Sequence, residues 1–467
     1  MKISRGTTGR AYVETYGCQM NIADGEVMEG VLSSSGYDIV RVPEEADVIL
    51  VNTCAIREHA ERRVLGRVAQ LSQLKEENPD LLIGVTGCMA QRMGTLLLEK
   101  APYVDLVMGP DGYRFLPERL EELRRGVGPV LGALTNLSRR GQGKIQLAVL
   151  DLDDTEHYEG LERRRRSGVT AWIPIQRGCD HRCTFCVVPY VRGPEKNRAP
   201  ADVLAEVFDL AEVGVTEVTL LGQTVNSYRW EEWTFPRLLR EVSQVDGIRR
   251  VRFTSPHPND VTSELVEVMA KESAVCEHLH LPVQSGSNRT LKRMVRRYSV
   301  EGFLETVEMV RRVVPDVALS TDIIVGFPGE TEAEFEKTLE IMRTVRFDEA
   351  FTYKYSIREG TPATRFPDED FLPDDVAQAR LETLIRVARR VQGEINRREI
   401  GRVEEVLIDN VARNPGQLRG RTRRNKVVAF PQEEKRIGEY AAVELTGTSG
   451  ATFSGELREA ATLVATT

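Results

Sequence analysis

Three cysteines lie within eight residues of one another, in the stretch QRGCDHRCTFCVVPYVR. Gaps of three and two residues separate Cys179, Cys183 and Cys186, so one loop can direct all three sulfurs to a single metal centre. A tetrahedral zinc ion and a four-iron cluster each take four donors, which leaves one coordination position open. The spacing fits an iron–sulfur cluster and also a zinc site completed by His181 or by a remote ligand.

Three further cysteines share one position in a repeated pattern. Apolar segments predict three buried strands, which run into the motifs YGCQMN, VNTCAIR and TGCMAQR. Helical patterns at about residues 23–35 and 57–77 lie between them, which favours a parallel sheet whose strand carboxyl ends share one edge. The thiols can meet at that edge although 36 and 34 residues separate them, and three unrelated core thiols are the alternative. The predicted strands and cysteines are Ala11–Tyr16 with Cys18, Asp47–Val51 with Cys54, and Leu81–Val85 with Cys88.

The middle of the chain alternates strand and helix patterns around the cysteine loop. Six such units predict an incomplete parallel barrel, and chemistry in parallel barrels lies at the carboxyl ends of the strands. The cysteine loop follows the first strand, and two later strands end in the glycine-containing segments LLGQTVN and IIVGFPGET. In the second segment, Thr331 and Glu334 predict a capping box at a helix start. The predicted strands are 171–176, 217–221, 250–254, 277–281, 317–325 and 349–355.

The C-terminal part changes to short strands separated by glycine turns. A long amphipathic helix at Asp375–Glu399 leads into strands such as Val403–Ile408, Lys426–Phe430 and Ala441–Leu445, which predict a small antiparallel barrel. Between residues 410 and 432 there are six basic residues and no acidic one. Such a cluster suits a phosphate backbone, and the alternative is a strand edge that charge protects from pairing.

Length and composition predict about three domains in a chain of 467 residues. We expect domains at residues 9–126, 165–397 and 400–463, with 127–164 as a connector whose Arg163–Arg166 run is solvated. The net charge of −8 does not indicate nucleic-acid binding by the whole chain, although it can hide a local basic surface. No apolar run approaches the about 20 residues of a membrane span, and MKISRGTTGR lacks the core of a signal peptide, so we expect a cytoplasmic protein.

Several motifs together carry a family resemblance. CDHRCTFC resembles the CxxxCxxC loop of radical S-adenosylmethionine enzymes. With YGCQMN, NTCAIRE, GCMAQR, VVPYVRG, LLGQTVNSY, HLPVQSGS and IIVGFPGETE in this order, nearly the whole chain resembles the methylthiotransferase family. The C-terminal part resembles the TRAM module, and GRTRRNKVVAF is similar to the version in enzymes that modify tRNA containing N6-dimethylallyladenosine.

The resemblance implies an α/β fold: an N-terminal open parallel sheet, a partial (β/α)6 radical-SAM barrel and an OB-like TRAM barrel. It also implies two 4Fe-4S clusters. The first would chelate S-adenosylmethionine and cleave it to a 5′-deoxyadenosyl radical, and the second, auxiliary cluster would carry the sulfur to be methylated and inserted. The implied ligands are Cys179, Cys183 and Cys186 for the first cluster, and Cys18, Cys54 and Cys88 for the auxiliary cluster.

The same resemblance implies further contacts and partners. We expect tRNA as substrate, an electron donor such as a flavodoxin or ferredoxin, and a monomeric enzyme. The expected S-adenosylmethionine contacts are Gly222, Gln223, Ser320, Asp322, Gly326 and Phe327. The expected RNA contacts are Arg419, Arg421, Arg423, Arg424 and Lys426.

The implied reaction converts N6-dimethylallyladenosine, on the 3′ side of the anticodon, to its 2-methylthio derivative with two molecules of S-adenosylmethionine. Sister enzymes that act on threonylcarbamoyladenosine or on a ribosomal-protein aspartate share both clusters and remain alternatives. A non-catalytic metal-bearing protein that binds RNA or senses redox state is another. Cys276, His278 and His280 share one face of a strand. A third metal site is the alternative there, but we interpret Cys276 as a core thiol and expect the histidines to donate to substrate.

Overall fold

The computed structural model describes residues 8–54, 58–126, 138–140, 144–165 and 168–459. Parts of the sequence predictions therefore lie outside the described residues: positions 55–57 of the second cysteine motif, parts of the expected connector, Arg166 and residues 460–463. The chain divides into two compact units. The first unit comprises residues 1–167, 176–181 and 186–198, and the second comprises residues 168–175, 182–185 and 199–467.

The helices and strands follow in chain order. Up to residue 165 they are β1 Gly9–Thr15, α1 Gln19–Ser34, β2 Tyr37–Ile39, β3 Val48–Thr53, α2 Glu58–Ser72, β4 Leu82–Gly87, α3 Cys88–Met93, α4 Leu96–Lys100, β5 Leu106–Met108, α5 Leu116–Arg125, β6 Ser138–Arg140 and β7 Lys144–Val149. From 168 to 399 they are β8 Thr170–Pro174, β9 Gln176–Arg177, α6 Val188–Arg192, β10 Lys196–Asn197, α7 Pro200–Glu212, β11 Glu217–Leu221, β12 Arg229–Trp230, β13 Trp233–Thr234, α8 Phe235–Ser243, β14 Arg250–Phe253, α9 Ser263–Lys271, β15 His278–His280, α10 Asn288–Arg293, α11 Val300–Val313, β16 Ala318–Val325, α12 Glu332–Val345, β17 Glu349–Lys354 and α13 Asp374–Glu399. Beyond residue 399 they are β18 Val403–Val411, β19 Gln417–Thr422, β20 Val427–Pro431, β21 Tyr440–Ser449 and β22 Thr452–Arg458.

The first unit is built on a seven-stranded sheet in the order β2-β1-β3-β4-β5-β7-β6. All neighbours pair in parallel except β6 with β7, which confirms the predicted parallel sheet. Every residue of β3 is buried because the sheet is covered on both faces: Val48 and Leu50 enter one apolar core, and Ile49 and Val51 enter another. The stretch expected to be a connector contributes β6 and β7 to this sheet.

The second unit begins with six parallel strands that form the predicted partial barrel. They form the groups β14-β11-β8 and β15-β16-β17, and a parallel bridge between Val251 and Val275 links the edge of one group to the start of the other. The helices between the strands bury one large apolar core against them. The capping box of Thr331 and Glu334 is present at the start of α12, as predicted.

The C-terminal part of the second unit is a closed barrel in the order β18-β19-β20-β22-β21. This confirms the predicted small barrel, in which β20 and β22 pair in parallel. The sequence did not predict β19 or β22. Their buried positions include small or polar residues, such as Gly420 and Thr422 in β19 and Gly455 in β22, so the apolar alternation that signals a strand is weak.

Helix α13 joins the two parts of the second unit. It starts one residue before the predicted position, at Asp374, and packs against α12, β17 and β21. It therefore has the bracing position that the sequence predicted. Among the described residues, none of the helices combines the length and the apolar character that a bilayer span requires.

Candidate metal and cofactor site

The three cysteines of the first unit follow adjacent parallel strands. Cys18 follows β1, Cys54 follows β3 directly and Cys88 follows β4 directly, and these strands are neighbours in the sheet. The strand order reverses between β1 and β3, which is where open α/β sheets bind ligands. A hydrogen bond from Cys54 is the main cause that lowers the pKa of Cys18 to about 6. The structure therefore brings these thiols together at the predicted sheet edge.

Glycine precedes two of these cysteines because the strand ends are crowded. Gly17 has φ +135°, and a Cβ at that position would lie 2.6 Å from the Cβ of Cys54. Gly87 has φ +91°, and a Cβ there would lie 2.5 Å from the carbonyl oxygen of Thr53. Both the backbone conformation and the space exclude a side chain. These two glycines allow the cysteine-bearing turns to approach each other.

Two buried asparagines tie the cysteine turns together. The side chain of Asn21 donates to the carbonyl oxygen of Thr53 at 3.1 Å, and the side chain of Asn52 donates to the carbonyl oxygen of Asn21 at 2.7 Å. The thiol of Cys18 donates to Oδ1 of Asn21 at 3.3 Å. Because both amides are fully buried, their partners are obligatory and the turns are held in one register.

A buried arginine contacts the third cysteine. Nε of Arg192 donates to Sγ of Cys88 at 3.2 Å, and Nη2 donates to Oδ2 of Asp24 at 2.6 Å. The side chains of Arg192 and Asp24 are 3% and 0% exposed. Burial opposes the charge of Arg192, but Asp24 and Cys88 outweigh it and hold the arginine pKa well above its ordinary value. The thiol site of the first unit therefore contains a permanent positive charge.

The cysteine loop of residues 179–186 falls into both units. Cys179 and Cys186 belong to the first unit, where the backbone N–H of Cys179 donates to the carbonyl oxygen of Gly193 at 3.2 Å. The short strands β9 and β10 pair antiparallel on either side of this part of the loop. Cys179 is buried and Cys186 is half-buried.

Cys183 belongs to the second unit, where a second arginine contacts it. Nη1 of Arg296 donates to Sγ of Cys183 at 3.4 Å, and Nε donates to the hydroxyl oxygen of Tyr298 at 3.0 Å. The next residue, Thr184, is anchored because its N–H donates to the carbonyl oxygen of Met294 at 3.1 Å. Burial opposes the charge of Arg296, but Tyr298 and Cys183 raise its pKa above the ordinary value.

Polar atoms without a described partner lie just beyond barrel strand ends. Oε1 of Gln223 follows β11, Oε1 of Gln284 follows β15 and the hydroxyl oxygen of Tyr355 follows β17, and all three atoms are buried. Gln284 also has a left-handed backbone with φ 67°, and Ser255 after β14 has φ 58°. Buried polar atoms need partners, and strained backbone concentrates at functional sites. The carboxyl ends of the strands therefore have the chemistry of a polar ligand site.

The predicted cofactor contacts differ in exposure. Gly222 is buried, Gln223 is half-buried and Gly326 has φ +69° beside α13. Phe327 is fully buried, and its ring packs against the rings of Phe185, Tyr355 and Phe366. Phe327 therefore supports the strand end as core.

Ser320 and Asp322 belong to a hydrogen-bonded chain on one face of β15 and β16. Oγ of Ser320 lies 3.2 Å from Nε2 of His278 and 2.9 Å from Nδ1 of His280, and Nε2 of His280 lies 3.2 Å from Oδ2 of Asp322. Burial, with the charge of Arg252, lowers the pKa of His278 well below its ordinary value. Cys276 is 2% exposed, and burial raises its pKa, as expected for a core thiol.

The basic residues of the C-terminal barrel are engaged within the second unit. Arg423 forms a two-pronged pair with Glu277, at 2.9 and 2.8 Å. Arg424 binds Glu399 and Glu404, and Lys426 binds Asp348 and Asn396. Arg419 and Arg421 face Asp409, and their side chains keep 41% and 39% exposure. Carboxylates from distant parts of the chain thus compensate much of the local positive charge that the sequence showed.

Several site residues were not predicted as such. Asn21, Asn52 and Arg192 lie in the motifs YGCQMN, VNTC and VVPYVRG, so their proximity to the cysteines was a usable signal. Asp24 lies 168 residues from its partner Arg192, and Arg296 lies 113 residues from Cys183. No local pattern marks either of those two.

Family comparisons cover most of the chain in three segments. Residues 10–109 match the family described as Uncharacterized protein family UPF0004, residues 173–342 match the Radical SAM superfamily, and residues 397–457 match the TRAM domain. Among solved structures, the radical S-adenosylmethionine methyltransferase TsrM from Kitasatospora setae covers 88% of this chain and 80% of its own, with a TM-score of 0.57 and 14% identity. The cobalamin-dependent radical enzyme OxsB covers 81% and 56%, with a TM-score of 0.54 and 13% identity. These likenesses concern the fold.

Relatives of known name match along almost the whole length. The tRNA-2-methylthio-N(6)-dimethylallyladenosine synthase of Thermoanaerobacter sp. (strain X514) is 45% identical over 96% of this chain and 92% of its own. The enzyme of the same name from Chloroherpeton thalassium (strain ATCC 35110 / GB-78) is 42% identical over 96% of this chain and 95% of its own. With all three domain matches in the same order, this chain belongs to the family of tRNA-2-methylthio-N6-dimethylallyladenosine synthases, which are methylthiotransferases of the radical S-adenosylmethionine superfamily.

Proposed function

We propose that this chain converts N6-dimethylallyladenosine, on the 3′ side of the anticodon of tRNA, to 2-methylthio-N6-dimethylallyladenosine. The observation that carries the proposal is 45% identity over 96% of the chain to a synthase of that name. The reaction takes place in the cytoplasm, on a monomeric enzyme, with electrons from a donor such as a flavodoxin or ferredoxin.

Two 4Fe-4S clusters and S-adenosylmethionine are the proposed cofactors. Cys179, Cys183 and Cys186 would hold the first cluster, and the donor set fits because three thiols leave one iron free for a ligand. With S-adenosylmethionine this cluster would supply the one-electron chemistry needed to remove hydrogen from an aromatic C–H, which is beyond the reach of a side-chain base. Arg296 donates a hydrogen bond to the sulfur of Cys183 and would hold that side chain in place.

Cys18, Cys54 and Cys88 would hold the auxiliary cluster, which carries the sulfur. The turns fit this role because Asn21 and Asn52 hold them in register and Arg192 compensates negative charge beside Cys88. The thiols differ in acidity: a hydrogen bond with Cys54 lowers the pKa of Cys18 to about 6, whereas burial raises the pKa of Cys88.

The carboxyl ends of the barrel strands would bind S-adenosylmethionine. Gly222, Gln223, Asp322 and Gly326 are the proposed contacts, and the unpartnered Oε1 atom of Gln223 is an acceptor for the donor groups of the cofactor. Ser320 and Phe327 act through their neighbours, because Oγ of Ser320 contacts two histidines and the Phe327 ring is core. For these two positions we therefore propose an indirect role in place of the direct cofactor contact expected from the sequence.

The C-terminal barrel would bind the tRNA backbone through its exposed cations. Arg419 and Arg421 keep about two-fifths of their side-chain surface, and Arg413 is exposed. Arg423, Arg424 and Lys426, which are also predicted RNA contacts, bind carboxylates of the second unit. We assign phosphate binding to the exposed arginines and positioning of the barrel to the paired cations.

Salt titration of tRNA binding tests this division. Replacing Arg413 and Arg419 with Gln should reduce the slope of log affinity against log salt by about one for each lost phosphate contact. Replacing Arg423 and Arg424 with Gln should leave that slope unchanged. An equal reduction of the slope in both double variants would contradict the division. No reduction in either variant would show that these basic residues do not contact the RNA backbone.

Nucleoside mass spectrometry of tRNA tests the function itself. A strain without this chain should lack 2-methylthio-N6-dimethylallyladenosine and accumulate N6-dimethylallyladenosine, and restoring the chain should reverse both. If that product persisted while a methylthio derivative of threonylcarbamoyladenosine disappeared, the substrate assignment would be wrong.

Iron and acid-labile sulfide analysis of anaerobically purified protein should give about eight irons per chain, since each cluster holds about four. Zinc without sulfide would indicate a non-catalytic binding protein.

A further inference from the structure

The thiol site of the first unit contains a cation with a specific arrangement of partners. Nε of Arg192 donates to Sγ of Cys88 at 3.2 Å, while Nη2 donates to the Asp24 carboxylate at 2.6 Å. Arg192 therefore joins one thiol of the site to a buried carboxylate.

Arg192 has a hydrogen-bond donor to spare. A guanidinium carries five N–H groups, and Nη1 of Arg192 is buried without a hydrogen-bond partner among the described residues. Leaving a buried N–H group unpaired is destabilising, and more so when the group is charged. The arrangement is therefore incomplete unless a further acceptor is present.

The chemistry of the site indicates what that acceptor is. Three cysteines leave one coordination position open, and the sulfur to be inserted is anionic when it occupies that position as hydrosulfide. A buried anion requires a cation or hydrogen-bond donors close by. Arg192 already donates to one of the cysteines that surround the open position.

We infer that Arg192 is a positioning residue for the inserted sulfur. Its guanidinium binds hydrosulfide at the open position of the auxiliary site and favours hydrosulfide over neutral hydrogen sulfide. The inference rests on the proposed function. Asp24 fixes the orientation of the guanidinium, because a carboxylate and Nη2 at 2.6 Å allow little rotation. A merely structural arginine would neutralise Asp24 and have no effect on sulfur binding.

The first unit contains a matched control pair. Nη2 of Arg177 donates to Oδ1 of Asp111 at 2.6 Å, and the two side chains are 2% and 0% exposed. Arg177 is thus as buried as Arg192 and is paired in the same way, but its partners are Asp111 and the carbonyl oxygen of Glu156. Asp111 also accepts from Nζ of the buried Lys196 at 2.7 Å, so removing the control pair should disturb the fold at least as much as removing Arg192 and Asp24.

The test uses the full chain with Cys179, Cys183 and Cys186 replaced by Ala, so that iron spectroscopy reports the auxiliary site alone. This parent, R192K, R192Q/D24N and R177Q/D111N are reconstituted, checked for iron content and titrated with sodium hydrosulfide, with the electron paramagnetic resonance spectrum of the reduced cluster as readout. R192Q/D24N should bind hydrosulfide about 10- to 100-fold more weakly, the loss expected for one charge-assisted hydrogen bond. R192K should lose less, because it keeps the charge without the planar fork.

The control pair separates sulfur binding from folding. R177Q/D111N should match the parent in hydrosulfide affinity. Parent-like affinity in R192Q/D24N, or an equal loss in the control, would overturn the inference. If R192Q/D24N does not retain iron, R192K decides, since an affinity equal to that of the parent overturns the inference and a reduced one supports it. Failure of the parent to bind hydrosulfide would overturn the proposed sulfur-carrying function as well.

Discussion

Two buried arginines, one in each unit, each donate a hydrogen bond to a cysteine. Arg192 reaches Sγ of Cys88 at 3.2 Å, and Arg296 reaches Sγ of Cys183 at 3.4 Å. Hydrogen bonds and positive charge near cluster sulfurs are among the factors that set reduction potentials. If both cysteine sets hold clusters as proposed, an arginine of each unit would tune the adjacent cluster.

The two arginines differ in their other partners. Arg192 is paired with the carboxylate of Asp24, whereas Arg296 contacts the hydroxyl of Tyr298 and the carbonyl oxygen of Pro282. The charge of Arg192 is thus locally balanced, and that of Arg296 is exerted on Cys183 with neutral partners around it. We therefore expect Arg296 to stabilise an added electron at the site of Cys183. At the site of Cys88 we expect Arg192 to act mainly as a hydrogen-bond donor with a fixed orientation.

The largest effect should be on activity, and it should differ between the two sets of cysteines. Replacing Cys183 with Ala should abolish reductive cleavage of S-adenosylmethionine, because the cluster proposed to bind it would lose a ligand. Replacing Cys54 with Ala should spare cleavage and prevent methylthio transfer. Quantifying 5′-deoxyadenosine and the modified nucleoside by mass spectrometry measures both, and an equal loss of cleavage in the two variants would contradict the assigned roles.

The next largest effect should be on stability, because Arg192 is paired with the buried carboxylate of Asp24. Replacing Arg192 with Gln leaves the buried Asp24 carboxylate without a cation, although the hydroxyl of Tyr158 still donates to it at 3.4 Å, so we expect the free energy of unfolding to fall by about 3–5 kcal/mol. Urea denaturation of the apoprotein measures the change. R192Q/D24N should recover part of the loss, and a double variant as unstable as R192Q would show that the unpaired carboxylate is not its cause.

Arg296 should cost less to replace, because its partners are neutral. R296Q leaves no carboxylate unpaired, and we expect a loss of about 1–3 kcal/mol from the lost hydrogen bonds. Potentiometric titration should also show a lower reduction potential for the cluster at Cys183. If R296Q destabilised the protein as much as R192Q does, the difference between the two sites would not lie in the carboxylate.

The smallest effect concerns the turns that hold the auxiliary site. Replacing Asn52 with Ala removes its donation to the carbonyl oxygen of Asn21, at a cost of about 1–2 kcal/mol. The released turns should bind iron less tightly, so chelation by a competing ligand should remove iron faster than from the original protein. If the chelator removed iron from N52A and from the original protein at the same rate, the asparagines would contribute to stability and not to iron binding.

Much of this architecture follows from local patterns. The parallel strands before Cys18, Cys54 and Cys88 were predicted because buried strands have continuous apolar runs, and the six barrel strands were predicted for the same reason. Strands β19 and β22 escaped prediction because small and polar residues occupy part of their buried faces. Periodicity reports burial of large apolar side chains and nothing else.

Charge was the property that local patterns misrepresented. Arg423, Arg424 and Lys426 lie in a stretch without acidic residues, yet they bind Glu277, Glu399 and Asp348, which lie between 25 and 146 residues away. Coulomb attraction depends on distance in space, so a count along the chain cannot show which cations are compensated. The exposed arginines of the same stretch became distinguishable only in the folded barrel.

The amino-acid sequence by itself determined the cysteine sets, the order of the domains and the family, because spacing and motif order are properties of the chain. Tertiary structure alone decided which charged groups accompany the thiols. The pairs of Arg192 with Asp24 and Arg296 with Cys183 join residues more than 100 positions apart. Such pairs form where the fold excludes water and brings a buried donor next to an acceptor from a distant segment, a condition that no local pattern encodes.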